Sequence, residues 1–130
     1  PGLNRDDLGA EISPESIQTY VEMRLRVAGI PVVTEEEWLK TPGSPFLYLH
    51  FELYQANVGP VIIYPHSMSL KMMQEVILVG DSDRKVPAVT WEKSIMGCVG
   101  QQAIPENVRA AREGLMDRFI NDYLAANPKK

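Results

Sequence analysis

The side chains that could support acid–base or metal chemistry in this 130-residue chain are two histidines, with an acid close to the first. His50 and Glu52 lie two residues apart in an alternating stretch, which predicts that both point to the same face of one strand. His66 falls on the apolar face of the next strand, so we expect the two imidazoles on opposite sides of the sheet. A shared His/His/Glu metal site would need a broken strand, for which Pro65 is the candidate position. The pattern therefore argues against a metal site and leaves His50 with Glu52 as the candidate pair of an enzyme.

Other reactive side chains lack the spacing that their chemistry requires. Cys98 is the single cysteine, which allows no internal disulfide, and it lies in an apolar run that indicates a structural role. Glu35, Glu36 and Glu37 are successive residues of a predicted helical turn, so they point in different directions and cannot converge on one ion. No serine occupies a Gly-x-Ser-x-Gly elbow, although a Ser/His/Asp triad formed by tertiary contact stays open. The sequence favours a protein without catalytic residues, metal or cofactor.

Composition and charge restrict the class of protein and of partner. Hydrophobic residues make up 45% and charged residues 23% of the chain, as in soluble globular domains, so we expect one domain over residues 1–130. The net charge of -4 argues against nucleic acid as a partner. No apolar run approaches the roughly 20 residues of a transmembrane helix. The first residues, Pro1–Ser13, are expected to form an irregular arm. The start at Pro1 rather than Met leaves open a lost targeting segment.

The stretch Phe46–Val79 is predicted to form two long strands joined by a tight turn at Asn57–Pro60. Apolar and polar residues alternate along both strands, which is the pattern of a sheet with one buried face. Pairing Ala56 with Val61 would place the apolar residues of both strands on one face, and a slip of one residue would expose them all. The predicted pairs are Leu53 with Tyr64, Phe51 with His66, Leu49 with Met68 and Leu47 with Leu70. A third long strand is expected over Val89–Val99.

Helix signals precede this hairpin and follow the third strand. Ser13 before Pro14 is typical of a helix start, and Gly29 is typical of a helix end. The helix between them is expected to bury one stripe. This stripe comprises Ile17, Tyr20, Val21, Leu25 and Ala28. The clearest helix is expected over Pro105–Ala126, where an apolar stripe lies opposite a charged face.

Two short elements connect the first helix to the hairpin. Ile30–Val33 is predicted to form a short strand, and its proline favours the edge of the sheet. Thr34, with Glu37 three residues later, is the capping pattern of a short helix. The predicted fold class is α+β: an antiparallel three-stranded meander plus a short edge strand, with two long helices packed on one face and one short helix.

If both long helices cover the same face of the sheet, the other face is polar and open. Its first strand contributes two aromatic and two ionisable side chains. These candidate binding residues are Tyr48, His50, Glu52 and Tyr54. Aromatic side chains beside charged ones suit recognition of a ligand or partner, and the simpler alternative is a solvated face.

Three segments together resemble a known family. They are Thr34–Leu49, with Glu-Glu-Glu-Trp-Leu-Lys-Thr-Pro-Gly-Ser-Pro at its centre, then Thr90-Trp91 before a glycine-containing strand, and Asp117–Leu124 followed by Asn127-Pro128. The pattern is similar to that of small uncharacterised bacterial proteins that usually carry an N-terminal secretion signal. The resemblance runs from about Ile17 to the end of the chain. It implies a periplasmic or secreted location, a further strand before the first helix, no established activity and no catalytic residues.

Three functions follow as hypotheses. The leading one is a non-catalytic exported binding or assembly module, which acts on an unknown protein or small ligand through the open face or a free sheet edge. The alternative is a carrier of a small apolar ligand, with an adaptable pocket formed by Met68, Met72, Met73 and Met96. The third is a hydrolase or metal-dependent enzyme that uses His50 and Glu52.

The first strand of the hairpin is also the least protected edge of the predicted sheet. Phe46–Ala56 carries few charges and no internal proline, so its unpaired N–H and C=O groups are free to pair with another strand. We expect either that Ile30–Val33 covers this edge or that two copies of the chain pair through it about a two-fold axis. The second case would give a homodimer.

Overall fold

The computed structural model describes residues 13–128 and has the predicted α+β architecture. Its helices and strands, in chain order, are α1 (Pro14–Val27), α2 (Glu35–Lys40), β1 (Phe46–Leu53), β2 (Ala56–Val58), β3 (Val61–Leu78), β4 (Asp81–Val99) and α3 (Ile104–Ala126), with a short 3-10 turn at Gln101–Ala103 before α3. The predicted irregular arm, up to residue 12, and the further strand implied before α1 lie outside the described residues.

The strands form the predicted antiparallel meander, with β3 at its centre. β1 and β2 pair with one side of β3, and β4 pairs with the other. The break between β1 and β2 lies opposite Pro65. The Tyr54 backbone N–H donates to the Pro65 carbonyl at 2.8 Å, but proline has no N–H to return the second bond of the pair. β1 and β2 are therefore one arm of the sheet, interrupted at a proline of its neighbour.

The register of the first hairpin differs from the prediction by two residues. Val58 pairs with Val61, so Ala56 lies opposite Ile63 instead of Val61. The observed pairs in β1 are Leu53 with His66, Phe51 with Met68, Leu49 with Leu70 and Leu47 with Met72. The loop has two residues because Gly59 adopts a φ of 61°, which hairpin turns of this length need at their first position. A shift of two residues keeps every side chain on its predicted face.

The core lies between β3 and α3. Its buried hydrophobic residues are Tyr64, Met68 and Leu70 from β3 and Ile104, Val108, Ala111, Leu115, Met116 and Phe119 from α3. The helix α1 packs against the same cluster through partly buried Tyr20, Val21 and Leu25, so both long helices cover one face, as predicted. None of the α1 residues is buried, which corrects the prediction of a buried stripe.

The segment Ile30–Val33 forms no strand, contrary to the prediction, and the fourth strand of the sheet is β2. The Ile30 backbone N–H donates to the Leu25 carbonyl at 2.9 Å and so caps α1, with Gly29 at a φ of 78°. Pro31 has no N–H to give. Neither Ile30 nor Pro31 can therefore donate a backbone N–H to a neighbouring strand. The segment continues as a loop that is anchored by the buried Ile30 side chain.

The predicted caps of the first two helices are confirmed. The Ser13 hydroxyl accepts from the Ser16 backbone N–H at 3.2 Å, and the Thr34 hydroxyl accepts from the Glu37 backbone N–H at 3.2 Å. α2 is then fixed to the start of β1, because the Trp38 indole N–H donates to the Pro45 carbonyl at 3.0 Å. Trp38 also contacts Phe46 edge to face, with ring centroids 6.2 Å apart.

Candidate functional site

The four predicted binding residues form a row of hydrogen-bonded side chains along the outer face of β1. His50 Nε2 lies 3.0 Å from Glu52 Oε1, and the Tyr54 hydroxyl donates to Glu52 Oε2 at 2.8 Å. His50 Nδ1 lies 3.4 Å from the Tyr48 hydroxyl, and the two rings stack with centroids 6.0 Å apart. With the His50 proton on Nε2, this N–H donates to Glu52 and Nδ1 accepts from Tyr48. We call these four residues the outer-face row.

Glu52 is the electrostatic centre of the outer-face row. Hydrogen bonds from His50 and then from Tyr54 hold the pKa of the Glu52 carboxyl below its ordinary value. The same carboxylate raises the pKa of Tyr54, first by accepting its hydroxyl proton and then by its negative charge. Because the folded pKa of Glu52 is depressed, its contribution to stability is present above the unfolded pKa and is lost as pH falls through the folded pKa.

The coupling between Glu52 and Tyr54 gives a testable prediction. Glu52→Gln should lower the pKa of Tyr54 toward its ordinary value, since the charge that disfavours the tyrosinate is removed. The measurement is an NMR titration of the labelled tyrosine ring carbons. Glu92→Gln, which removes a carboxylate from the far strand of the same face, should leave Tyr54 unchanged. If Tyr54 had the same pKa in the wild type and in Glu52→Gln, the result would contradict the hydrogen bond between Tyr54 and Glu52.

The outer-face row lies on an open surface. Across β3, His50 is paired with Ser69 and Glu52 with Ser67, and these small side chains build no wall beside the pair. The side chains of His50 and Glu52 keep 46% and 45% of their surface exposed. The enclosed site that general acid–base catalysis favours is not formed around them. Within residues 13–128, no group of three His, Cys, Asp or Glu side chains is placed to hold a metal ion.

His66 lies on the other face of the sheet, as predicted, and is buried with 6% exposure. Its ring packs near Phe51, with centroids 6.4 Å apart, and covers Gly97 of β4. Neither ring nitrogen of His66 has a hydrogen-bond partner among residues 13–128. A shared metal site of His50 and His66 is therefore ruled out, because the sheet separates the two imidazoles.

An apolar cleft of about 790 Å³ opens between α1 and the edge of the sheet. Its lining comes from α1 (Pro14, Ile17, Gln18, Val21, Glu22, Leu25), the following loop and α2 (Ile30, Pro31, Val32, Val33, Thr34, Glu35, Trp38), β1 and its start (Pro45, Phe46, Leu47, Tyr48, Leu49), β3 (Leu70, Met72) and α3 (Phe119, Tyr123). We call this the edge cleft. Its size lies within the range of about 300–1,000 Å³ that is usual for ligand pockets.

The edge cleft exists because α1 touches the core without closing on it. Arg24 ties α1 to α3 by an ion pair with Asp117, and the Arg112 guanidinium lies 3.9 Å from the centre of the Tyr20 ring. These contacts hold the side of α1 that faces α3. The other side, with Val21 and Leu25, stays partly exposed above the cleft.

The free edge of β1 borders this cleft. Since Tyr54 bonds to β3, alternate residues of the arm point their backbone groups toward β3, and the residues between them point away. The outward N–H and C=O groups belong to Leu47, Leu49, Phe51 and Leu53. Among residues 13–128, no backbone hydrogen bond joins this edge to another segment. Leu47 and Leu49 combine unpaired backbone groups with side chains that line the edge cleft.

Sequence reasoning missed the edge cleft, although it singled out several of its parts. The α1 stripe and the unprotected β1 edge were each recognised, but the stripe was expected to be covered. The methionines of the carrier hypothesis do not meet in one pocket. Met72 lines the edge cleft, whereas Met68 is buried in the core and Met96 is exposed on the outer face.

Comparison of the chain with protein-family models, with curated proteins and with solved structures finds no match. The resemblance to exported bacterial proteins therefore stays a prediction. In the described part of the chain, no helix has the length and apolarity needed to cross a membrane.

Proposed function

We propose that this domain is a non-catalytic binding module and that the edge cleft is its binding site. One observation supports the proposal above the others: an apolar cleft of about 790 Å³ borders a strand edge whose outward backbone groups are unpaired within residues 13–128. Apolar walls favour binding by excluding water, and unpaired N–H and C=O groups add direction and specificity.

The outer-face row is a weaker candidate for the binding site. Its hydrogen-bonding groups already satisfy one another, so a ligand would have to replace existing bonds. Its two ionisable side chains, His50 and Glu52, keep 46% and 45% of their surface exposed, so a ligand bound there would stay in contact with water. The edge cleft offers both unsatisfied groups and apolar surface, which the outer-face row lacks.

A charge placed inside the cleft should abolish binding of an apolar probe. Val21 lines the cleft on α1, and Val21→Lys would bring an ammonium group against its apolar lining. We expect the affinity for a neutral probe, N-phenylnaphthylamine, to fall at least about tenfold, which corresponds to ~1.4 kcal/mol. The readout is the rise in probe fluorescence on titration with protein.

The matched control for this experiment is Val27→Lys. Val27 ends the same helix, is 80% exposed and does not line the cleft, so this variant adds the same charge without touching the site. Its probe affinity should equal that of the wild type. A wild-type protein that binds no probe, or two variants that lose affinity equally, would argue against the edge cleft as the site.

Export to the periplasm or the medium is a further part of this proposal. It is supported by the resemblance of the Glu-Glu-Glu-Trp-Leu-Lys-Thr-Pro-Gly-Ser-Pro run and its companion segments to proteins that carry secretion signals. Fractionation of cells that express the protein from its native gene tests it. Recovery of the protein with cytoplasmic markers alone would contradict it.

A further inference from the structure

The edge of β1 restricts what the edge cleft can bind. Leu47 and Leu49 each present an outward N–H and C=O at the cleft, which makes two donors and two acceptors in a fixed row. A compact apolar molecule would fill the cleft and keep these groups from water without pairing them. An extended peptide backbone pairs all four, because it carries the same groups at the same spacing.

We propose that the edge cleft takes an extended, basic peptide segment, which adds to β1 as an antiparallel strand. The inference rests on the proposed function and names the class of partner for the same site. In antiparallel pairing, a residue bonded to Leu49 points its side chain to the same face as Leu49, which is the face of the cleft. Alternate side chains of the segment, about 6.6 Å apart, would therefore enter between α1 and the sheet.

The charged side chains at the edge cleft determine which residues suit the two ends of the peptide segment. Glu22 and Glu35 line the cleft, and among the described residues its lining contains no Lys, Arg or His. The first turn of α2 adds the exposed carboxylates of Glu36 and Glu37 next to Glu35. Arg26 lies 3.7 Å from Glu22 and Lys40 lies 3.5 Å from Glu36, so these four carboxylates outnumber the two cations that pair with them. A segment with apolar residues at alternate positions and Lys or Arg at its ends complements both the walls and the rim, whereas an acidic segment is repelled.

The same charges disfavour a second copy of this chain as the occupant. β1 contains no Lys or Arg, so it offers nothing to the carboxylates at the rim. Two-fold pairing would also bring a second set of Glu22 and Glu35 toward the first. A homodimer through this edge, one of the two outcomes expected from the sequence, is therefore the competing result of the test.

The test uses short peptides with blocked ends and the 130-residue chain. The reference peptide is Lys-Val-Thr-Val-Thr-Val-Lys, whose valines are designed to face the cleft. One variant carries N-methyl groups on the valine nitrogens, which point at β1 in the proposed pairing, and its matched control carries them on the threonine nitrogens, which point away. A third peptide replaces both lysines with glutamate. Binding is measured by calorimetry and by displacement of N-phenylnaphthylamine.

We expect the reference and threonine-methylated peptides to bind equally and to displace the probe. The valine-methylated peptide should bind at least about tenfold more weakly, because it cannot donate to the edge carbonyls. The glutamate peptide should also be about tenfold weaker, with a difference that shrinks as salt is added. The Val21→Lys protein should no longer bind the reference peptide, and the Val27→Lys protein should bind it as the wild type does.

Failures of the two proposals are distinguishable. Probe binding without binding of the reference peptide, or equal binding of the valine-methylated and reference peptides, would overturn the strand-addition inference and leave the binding module standing. Absence of both probe and peptide binding would overturn both. A stable dimer by light scattering that excludes the peptide would identify a second copy as the occupant and overturn the inference.

Discussion

Leu70→Ala is expected to lower the free energy of unfolding by roughly 2–5 kcal/mol, the range for replacing a buried leucine with alanine. Leu70 has no exposed surface, lies at the centre of β3 and belongs to both the core cluster and the lining of the edge cleft. Its removal would leave a void that the neighbouring β3 and α3 side chains cannot fill without moving. The measurement is urea unfolding followed by tryptophan fluorescence.

Leu39→Ala is the matched control, because Leu39 is 67% exposed on α2 and lies outside the core. It should change the stability by less than about 0.5 kcal/mol. A loss of stability below about 1 kcal/mol for Leu70→Ala would show that α3 does not close over β3 as described.

Gly97→Ala is expected to destabilise the protein by about 1–3 kcal/mol, the usual cost of forcing an added group against a packed side chain. An added Cβ at Gly97 would lie 2.9 Å from His66 Cε1 and 3.0 Å from Nε2. His66 has little room to move, since it is buried against Phe51. The imidazole must therefore shift or the two strands must separate.

Two further variants test whether His66 is the cause. Gly100→Ala is the matched control, because an added Cβ there meets no atom within 4 Å, and it should be nearly neutral. In a His66→Ala background the clash is gone, so adding Gly97→Ala should cost much less than in the wild type. Equal costs in the two backgrounds would show that another contact limits the space at Gly97.

The alternation of the strands allowed the meander and its two faces to be predicted from the sequence, but not the pairing along it. A slip of one residue would have exposed Leu47 and Leu49, so the pattern excluded it. A slip of two residues leaves the pattern unchanged, and only the turn decides between such registers. The turn depends on the positive φ of Gly59, which the residue type permits but does not require.

Competition for backbone donors explains the element that the sequence placed wrongly. Ile30–Val33 has the composition of a strand, yet the Ile30 N–H is used to cap α1. Because the Ile30 N–H caps α1, Ile30–Val33 does not cover the β1 edge as the sequence predicted. A capping bond of this kind depends on where the chain leaves the helix, and residue pattern alone does not give that direction.

The two candidate sites differ in how well they could be predicted from the sequence. The outer-face row was predictable, since Tyr48, His50, Glu52 and Tyr54 alternate on one strand, although the order of their hydrogen bonds was not. The edge cleft was not predictable, because an apolar stripe such as Val21 with Leu25 looks the same whether a helix is fully covered or only half covered. Tertiary packing of α1 decides this.

Amide hydrogen exchange along β1 tests the free edge most directly, and neighbouring residues of the strand serve as controls. We expect fast exchange for Leu47, Leu49 and Phe51, whose N–H groups point outward, and slow exchange for Tyr48 and His50, which bond to β3. Addition of the reference peptide should slow the amide exchange of Leu47 and Leu49 and leave the exchange of Tyr48 unchanged. Slow exchange of the outward residues in the free protein at every concentration would show that the chain already covers this edge, and would contradict the account.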